Sequence, residues 1–281
     1  MGIAFTHPPT DFRSAAVLLT TLRRLQQTAP PPKVDATPRR GKPAVDPDFT
    51  MAFQPIVNIE TREVFAYEAL VRGVKGEGAG QILGAVSPEN RFSFDRACRA
   101  KAIEIAARIG MTAKLSLNVL PNDMSRREAC FQSAMEAAER FSFPTERLIF
   151  EVTEAERVNN LPELKKAFSA YKPHGFSCAI DDFGAGFAGF ELFVALRPDI
   201  VKLDIELVRN IHVDEVRHAV VKGFTSTCGD LGIQLVAEGV ETAHEARALR
   251  ELGVTLFQGY LFARPVIETM PEVDWQWDQP V

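Results

Sequence analysis

The 281-residue chain has few of the side chains that hold metals through nitrogen or sulfur, with only 5 histidines and 4 cysteines. The cysteines form no Cys-x-x-Cys pair and are too widely spaced for a disulfide framework, so we expect free thiols in a reducing compartment. No apolar run approaches the roughly 18 residues that a membrane span needs, and no clear signal peptide is present. These absences predict a cytoplasmic protein.

Basic residues are also outnumbered, since 32 Lys and Arg stand against 37 Asp and Glu and give a net charge of -5. This balance argues against a protein whose main task is to bind the phosphates of duplex nucleic acid. The charge is uneven: residues 1–50 contain 7 basic and 4 acidic residues, a net +3, so the remainder carries -8. A small anionic ligand remains compatible with this acidity if metal ions intervene.

The first 50 residues differ from the rest and contain 8 of the 18 prolines. Residues 30–48 are typical of an extended, poorly ordered linker. Before them, residues 11–27 have the apolar pattern of one short amphipathic helix, which could dock on the main domain, on a regulatory partner or on a second copy. We therefore expect a leader over 1–48, a main domain over 49–270 and a C-terminal tail over 271–281.

From residue 51 onward, short β-rich apolar runs alternate with helical patterns. The predicted strands are 53–59, 64–71, 114–118, 148–152, 177–180, 200–203, 233–237 and 255–257, and the predicted helices are 91–109, 126–140, 161–171, 214–231 and 242–252. At this length the alternation predicts an α/β fold, a modified TIM barrel. A doubly wound sheet would also alternate, but no Gly-x-Gly-x-x-Gly follows the first strand. The first two strands are joined by a short turn around 60–62, so one strand of the barrel is expected to be antiparallel.

Polar residues end most of these strands. They are Glu68, Asn118, Glu151, Asp181, Asp182, Lys202, Glu238 and Gln258. Each one alone is more often a cap or a surface group. In a βα barrel, however, the carboxyl ends of the strands meet at one mouth, where the chemistry of such enzymes occurs. The recurrence therefore predicts one shared site.

The charge of this predicted site favours metal ions. Its five carboxylates contribute -5 and Lys202 returns +1, which leaves -4 in a partly buried mouth. Uncompensated buried charge is costly, and two divalent cations would supply +4. Oxygen ligands without histidine or cysteine favour Mg²⁺ or Mn²⁺. Two such ions, about 3.5–4 Å apart, suit in-line phosphoryl hydrolysis.

An ordered series of motifs resembles the EAL domain family over about residues 51–266. The series runs through Gln54-Pro55-Ile56-Val57, Glu68-Ala69-Leu70-Val71-Arg72, Leu117-Asn118-Val119, Glu151-Val152-Thr153-Glu154, Asp181-Asp182-Phe183-Gly184, Val201-Lys202-Leu203-Asp204, Glu238-Gly239-Val240-Glu241-Thr242 and Gln258-Gly259-Tyr260. EAL domains are modified TIM barrels that hydrolyse cyclic di-GMP to pGpG. The resemblance thus implies a cytoplasmic signalling phosphodiesterase.

The resemblance also implies a role for each matching residue. Glu68, Asn118, Glu151 and Asp181 would hold one metal, and Asp181 would be shared with a second metal that Asp182 also binds. Glu238 would bind the second metal directly or through water, or act as a base, and Lys202 would position or polarise the attacking water. Leu70, Arg72 and Gln258 would contact the substrate. Glu154 and Glu241 would support the loop after Asp182.

The sequence departs from the family pattern in two places. The loop 185–189 reads Ala-Gly-Phe-Ala-Gly, without the family's hydroxyl groups, and Leu120 replaces a usual serine. The resemblance implies a homodimer through the loop and helix after Asp182, the region in which these hydroxyl groups are missing. Residues 71–81 are most similar to EAL domains fused to blue-light flavin sensors, but 50 Pro-rich residues are too few for a sensor, so no flavin is expected. The alternatives are a catalytically silent receptor or antirepressor-like module, and an unrelated metal-dependent barrel enzyme.

Overall fold

The structure is a computed structural model that describes residues 47–120, 129–154, 158, 160–186 and 189–278. The statements below concern those residues. The predicted leader helix lies outside them, as does the predicted linker up to residue 46. Residues 126–128 of one predicted helix and two residues of the predicted loop, Phe187 and Ala188, also lie outside them.

Eight strands form a closed barrel. They are β1 (Phe49–Asn58), β2 (Glu63–Gly73), β3 (Lys114–Val119), β4 (Leu148–Thr153), β5 (Ser177–Phe183), β6 (Ile200–Leu203), β7 (Gln234–Ala237) and β8 (Leu256–Phe257). Strands β2 to β8 follow one another in parallel, while β1 pairs antiparallel with both β2 and β8 and closes the sheet. The predicted barrel with one antiparallel strand is therefore confirmed.

A short turn joins β1 and β2 and sets their pairing next to it, and the register then shifts between Ile56 and Val57. The side-chain oxygen of Asn58 accepts hydrogen bonds from the backbone N–H groups of Glu60 at 3.0 Å and Thr61 at 3.2 Å. Such an Asx turn reverses the direction of the chain. The resulting register places Gln54 opposite Glu68, which brings β1 to the edge of the predicted site.

Helices surround the strands. They are α1 (Ala79–Ala85), α2 (Arg91–Arg108), α3 (Ala129–Arg140), α4 (Leu161–Tyr171), α5 (Gly189–Leu196), α6 (Ile205–Val208), α7 (Glu215–Leu231) and α8 (Ala243–Glu251). Gly110, Gly175, Gly232 and Gly253 lie within a few residues of helix ends and have positive φ angles of 67°, 90°, 67° and 94°, a conformation that favours glycine at such positions. No helix in the described part of the chain is long and apolar enough to cross a membrane.

Three short helices were not predicted. Helices α1 and α6 are 7 and 4 residues long, too short to show a helical period. Helix α5 is apolar over most of its 8 residues, so it has no polar face to reveal its period. It begins at Gly189, the last residue of the predicted loop.

A buried apolar layer fills the barrel and supports the site. Its members come one from each of seven strands and are Ile56, Ala66, Ile149, Ala179, Ile200, Val236 and Leu256. Side chains two positions apart on a strand point to the same face. On the antiparallel strand, the next inward position toward the mouth is Gln54. On the other six strands, the residues two positions nearer the mouth are Glu68, Glu151, Asp181, Lys202, Glu238 and Gln258. The polar ring therefore lies directly above an apolar floor.

The residues after the last barrel strand return to its outer surface. A ninth strand, β9 (Val266–Ile267), pairs antiparallel with β1. The backbone N–H of Asp274 donates to the carbonyl of Phe262 at 2.8 Å, and the rings of Phe262 and Trp277 lie 5.7 Å apart. The described part of the segment expected to be a tail is thus packed against the barrel.

Candidate metal centre

A buried lysine lies at the centre of the polar ring. Its side chain is only 1% exposed, and its ammonium nitrogen contacts a carboxylate from each of four other strands or strand ends. The distances from Lys202 Nζ are 3.2 Å to Glu68 Oε2, 3.1 Å to Glu151 Oε2, 2.9 Å to Asp181 Oδ1 and 2.7 Å to Glu238 Oε1. One positive charge therefore faces four groups that are negative when ionised.

This imbalance shows in the protonation of the site. Burial raises the pKa of Glu151 to about 8, with the charges of Glu68 and Asp181 adding to the rise and that of Lys202 opposing it. Burial also raises the pKa of Glu238 well above its ordinary range, and the Asp181 carboxylate contributes. Burial alone would lower the pKa of Lys202, but the surrounding carboxylates raise it well above 10.5. Without further cations, the site holds protons near neutral pH.

The same carboxylates are arranged to bind cations. Glu68, Glu151 and Asp181 can each present one oxygen so that all three lie within 4.8 Å of one another, and Asp181, Asp182 and Glu238 form a second such group. Asp181 is common to both groups, as the two-metal interpretation expects of a shared ligand. These donors are all oxygens, which are the ligands of hard divalent ions. The residues present therefore fit a pair of such ions.

Neighbouring amides and hydroxyls orient the ligands. Glu68 accepts hydrogen bonds from the side-chain amides of Asn118 at 3.1 Å and Gln258 at 2.7 Å. Asp182 accepts one from the hydroxyl of Thr153 at 2.9 Å. Gln258 is buried, and its Oε1 has no hydrogen-bond partner among the described residues. The structure thus brings Asn118 and Gln258 together with the carboxylates.

The loop that follows Asp182 is held by a buried glutamate. Glu154 Oε1 accepts hydrogen bonds from the backbone N–H groups of Gly184, at 2.9 Å, and Gly186. Asp182 itself has a φ of 55°, an unusual value for a residue with a side chain. A side chain at Gly189 would bring its Cβ to 1.9 Å from Glu154 Oε2, so any other residue there would displace the carboxylate that holds the loop.

Leu70, Arg72 and Glu241 are the remaining predicted residues. Leu70 and Arg72 follow Glu68 at alternate positions on β2 and therefore share its face. Both are partly buried, and the Arg72 guanidinium donates to the carbonyl of Val71 at 2.7 Å. The carboxylate of Glu241 pairs with Arg209 at 3.0 Å. Support of that loop by Glu241 stays a prediction.

Three polar neighbours of the site were missed in the sequence. Gln54 contacts Gln258 at 3.4 Å, Ser116 donates to Glu151, and Thr153 donates to Asp182. Ser116 lies two residues before Asn118, and Thr153 lies two residues after Glu151. These residues could have been predicted as neighbours of the site, because each is a polar residue at an inward position of a barrel strand.

The family model described as the EAL domain matches residues 43–265. The chain belongs to the EAL domain family. A solved structure of a standalone versatile EAL protein from Vibrio cholerae O395, in a c-di-GMP-bound form, is 47% identical to this EAL domain with a TM-score of 0.78, covering 84% of this chain and 100% of that one. The manganese/cy-diGMP complex of Klebsiella pneumoniae BlrP1 at pH 6 is 33% identical with a TM-score of 0.76, covering 83% and 59%.

Relatives of this EAL domain include both enzymes and a regulator. The blue light- and temperature-regulated antirepressor BluF of Escherichia coli K12 is 31% identical over 234 residues, which are 83% of this chain and 58% of that protein. Other relatives are named cyclic di-GMP phosphodiesterases. The chain spans between 18% and 58% of the length of the first three curated relatives that it matches.

Because the metal-free site of the EAL domain holds protons, we expect a rise in pH to lower its stability without metal and to raise its affinity for metal. Between the ordinary value of 4.5 for Glu151 and its raised pKa of about 8, the folded chain holds a proton that the unfolded chain has lost. Stability without metal should therefore fall as the pH rises through this window. Because cations require ionised ligands, the apparent affinity for Mn²⁺ should rise over the same window.

Thermal unfolding at pH 6 and pH 8.5 would measure both effects. With a chelator, the Tm should be lower at pH 8.5 than at pH 6. The increase in Tm produced by Mn²⁺ should be larger at pH 8.5. An equal increase at the two pH values would contradict the proposed competition between protons and metal.

Proposed function

We propose that this EAL domain hydrolyses cyclic di-GMP to pGpG with two divalent cations, Mg²⁺ or Mn²⁺. The proposal rests on two clusters of three carboxylates that share Asp181. Asp181 also contacts the buried ammonium of Lys202. The phosphodiesterase names of several relatives support the reaction, and the manganese/cy-diGMP complex of BlrP1 supports the metal and the substrate.

The proposed ligands divide between two ions. Glu68, Asn118, Glu151 and Asp181 would hold one ion, and Asp181 and Asp182 would hold the other, which Glu238 would contact through water. When bound, such ions polarise phosphoryl oxygens and lower the pKa of water. Their charge of +4 would offset the -4 of the site, and it would also allow an acidic pocket to accept a dianionic substrate.

The protein's own side chains would orient the reactants. The Lys202 ammonium, already central in the ring, would position the attacking water and offset charge that develops on the phosphoryl oxygens. Glu238 is the most exposed of the four carboxylates around Lys202, at 15%. It is therefore the best placed of the four to take a proton from water.

The substrate would be held at the rim of the barrel. Arg72 is proposed to bind a phosphate oxygen, for which a guanidinium is a strong donor. Leu70, on the same face of β2, would contact the substrate beside it. Gln258, whose side-chain amide donates to Glu68 at 2.7 Å, is the third proposed substrate contact.

A second candidate function is a binding module without turnover. The likeness to the antirepressor BluF over 83% of this chain favours it, and so does the loop 185–189 without hydroxyl groups. Such a module would bind cyclic di-GMP and respond to it through a protein partner, for which the leader over 1–48 is the proposed contact. For the first candidate function, hydrolysis of cyclic di-GMP, we assign catalysis to residues 49–270 and expect it to occur in the cytoplasm.

Turnover of cyclic di-GMP by the purified full chain separates the two functions. With Mg²⁺ or Mn²⁺ we expect pGpG to form, and we expect Glu68→Ala to abolish its formation because one ion loses a ligand. Calcium should support little hydrolysis, since it prefers looser and higher coordination. Glu63→Ala, at the exposed start of the same strand, is the matched control and should be fully active. Binding of cyclic di-GMP without pGpG in either metal would favour the receptor.

We also propose that the domain forms a homodimer through α5 and α7. Apolar side chains on these helices are exposed to solvent, with Phe190 at 69%, Val194 at 72%, Val216 at 73% and Val220 at 50%. Patches of this kind mark interaction surfaces. Sedimentation of the full chain should show a dimer that Val194→Asp weakens, whereas a monomer at all working concentrations would contradict the proposal.

A further inference from the structure

A fully buried hydroxyl contacts one of the proposed metal ligands. Ser116 on β3 is 0% exposed. Its Oγ donates to Oε1 of Glu151 over 2.5 Å, and Glu151 is itself 1% exposed. This contact joins adjacent strands of the barrel, and neither the roles that the resemblance implies nor the named relatives assign a function to Ser116.

The position of Ser116 does not by itself call for a polar residue. In the register of the sheet, Ser116 lies beside Glu68 on one side and beside Ile149 of the apolar floor on the other. Alanine would fill nearly the same volume, and a hydroxyl buried without a partner is destabilising. The hydrogen bond to the Glu151 carboxylate therefore explains why residue 116 has a hydroxyl group.

The hydrogen bond determines which oxygen of Glu151 faces the site. A carboxylate turns easily about its last torsion, and Glu151 has two oxygens of equal chemistry. With Oε1 held by Ser116, Oε2 lies 3.1 Å from Lys202 Nζ, on the side of the proposed cations. Partners that orient a metal ligand in this way commonly change metal affinity or activity about 10- to 100-fold when they are removed.

We propose that Ser116 is a positioning residue that orients Glu151 for cation binding. This inference rests on the proposed function, because it takes Glu151 as a metal ligand. Ser116 would touch neither substrate nor metal, and it would act only through the carboxylate that it holds. Its loss should therefore weaken metal binding more than it slows the metal-saturated enzyme.

Direct titration of the full chain with Mn²⁺ tests the inference. We expect Ser116→Ala to raise the Mn²⁺ dissociation constant by about tenfold or more. The Mn²⁺ concentration for half-maximal hydrolysis should rise in parallel, while kcat at saturating Mn²⁺ stays near that of the wild type. Ser116→Thr keeps the hydroxyl and should restore Mn²⁺ binding. Thr225→Val removes a hydroxyl bonded to Val221 within α7 and should leave Mn²⁺ binding unchanged.

Two outcomes would overturn the inference. One is wild-type Mn²⁺ binding by Ser116→Ala. The other is a Ser116→Thr protein whose Tm equals that of the wild type but which binds Mn²⁺ as weakly as the Ser116→Ala protein. Because Mn²⁺ binding is measured without substrate, weakened binding by Ser116→Ala in a chain that never forms pGpG would support the inference while the proposed phosphodiesterase failed.

Discussion

Asp181→Asn is expected to lower the rate of cyclic di-GMP hydrolysis by about 10³-fold or more. Asparagine has nearly the same shape as aspartate, so the barrel should fold, but the charge shared by both carboxylate groups is lost. Charge stabilisation by a bound metal contributes several kcal/mol to a phosphoryl transition state, and each 1.36 kcal/mol is about a factor of ten in rate. A substitution that weakens both ions at once should therefore have one of the largest effects in the chain.

The measurement combines pGpG formation with metal stoichiometry. Asp181→Asn should retain less than the full complement of Mn²⁺ at concentrations that saturate the wild type. Asp230→Asn, at an exposed position of α7, makes the same chemical change away from the site and should leave both quantities unchanged. Hydrolysis by Asp181→Asn within tenfold of the wild-type rate would show that Asp181 does not bridge two essential ions.

The location of this site could be predicted from the sequence because strands have a period of two. In Ile149-Phe150-Glu151 and Ala179-Ile180-Asp181, an inward apolar residue is followed two positions later by an inward carboxylate. The same step recurs around the barrel, and parallel strands bring all their carboxyl ends to one mouth. Repetition along the chain was thus sufficient to predict a shared polar ring.

The contacts within the ring could not be predicted in this way. A strand pattern gives the face to which Lys202 points, but not how far its four-carbon stem reaches across the barrel, so its contacts with four carboxylates were not foreseen. Nor does the pattern show that Gln258, expected to contact substrate, donates to Glu68. Both contacts depend on how strands far apart in sequence are staggered around the closed sheet.

The loop after Asp182 shows a second limit. The support by Glu154 was expected from the family resemblance, and Glu154 does bond the backbone of this loop. The start of α5 at Gly189 was not foreseen, because the steric reason for glycine lies in the nearby Glu154 carboxylate. Requirements that arise from packing between segments leave little trace in local composition.

Lys202→Met should destabilise the metal-free protein and stop hydrolysis without preventing metal binding. Methionine keeps the length of the buried stem but removes the charge that four carboxylates contact. Removing one partner of a buried ion pair commonly costs about 3–5 kcal/mol, so the Tm in chelator should fall sharply. Mn²⁺ should restore much of this loss, because the cations supply positive charge to the same carboxylates and no proposed ligand has been removed.

The separation of metal binding from turnover distinguishes a catalytic role for Lys202 from a purely structural one. If Lys202 positions water and offsets phosphoryl charge, the Mn²⁺-loaded variant should still bind cyclic di-GMP but form pGpG about 10²–10³-fold more slowly, the range seen when one preorganised donor is lost. Lys222→Met, at an exposed position of α7, should match the wild type in both assays. A Lys202→Met protein that regained wild-type turnover with Mn²⁺ would limit the lysine to balancing charge in the metal-free site.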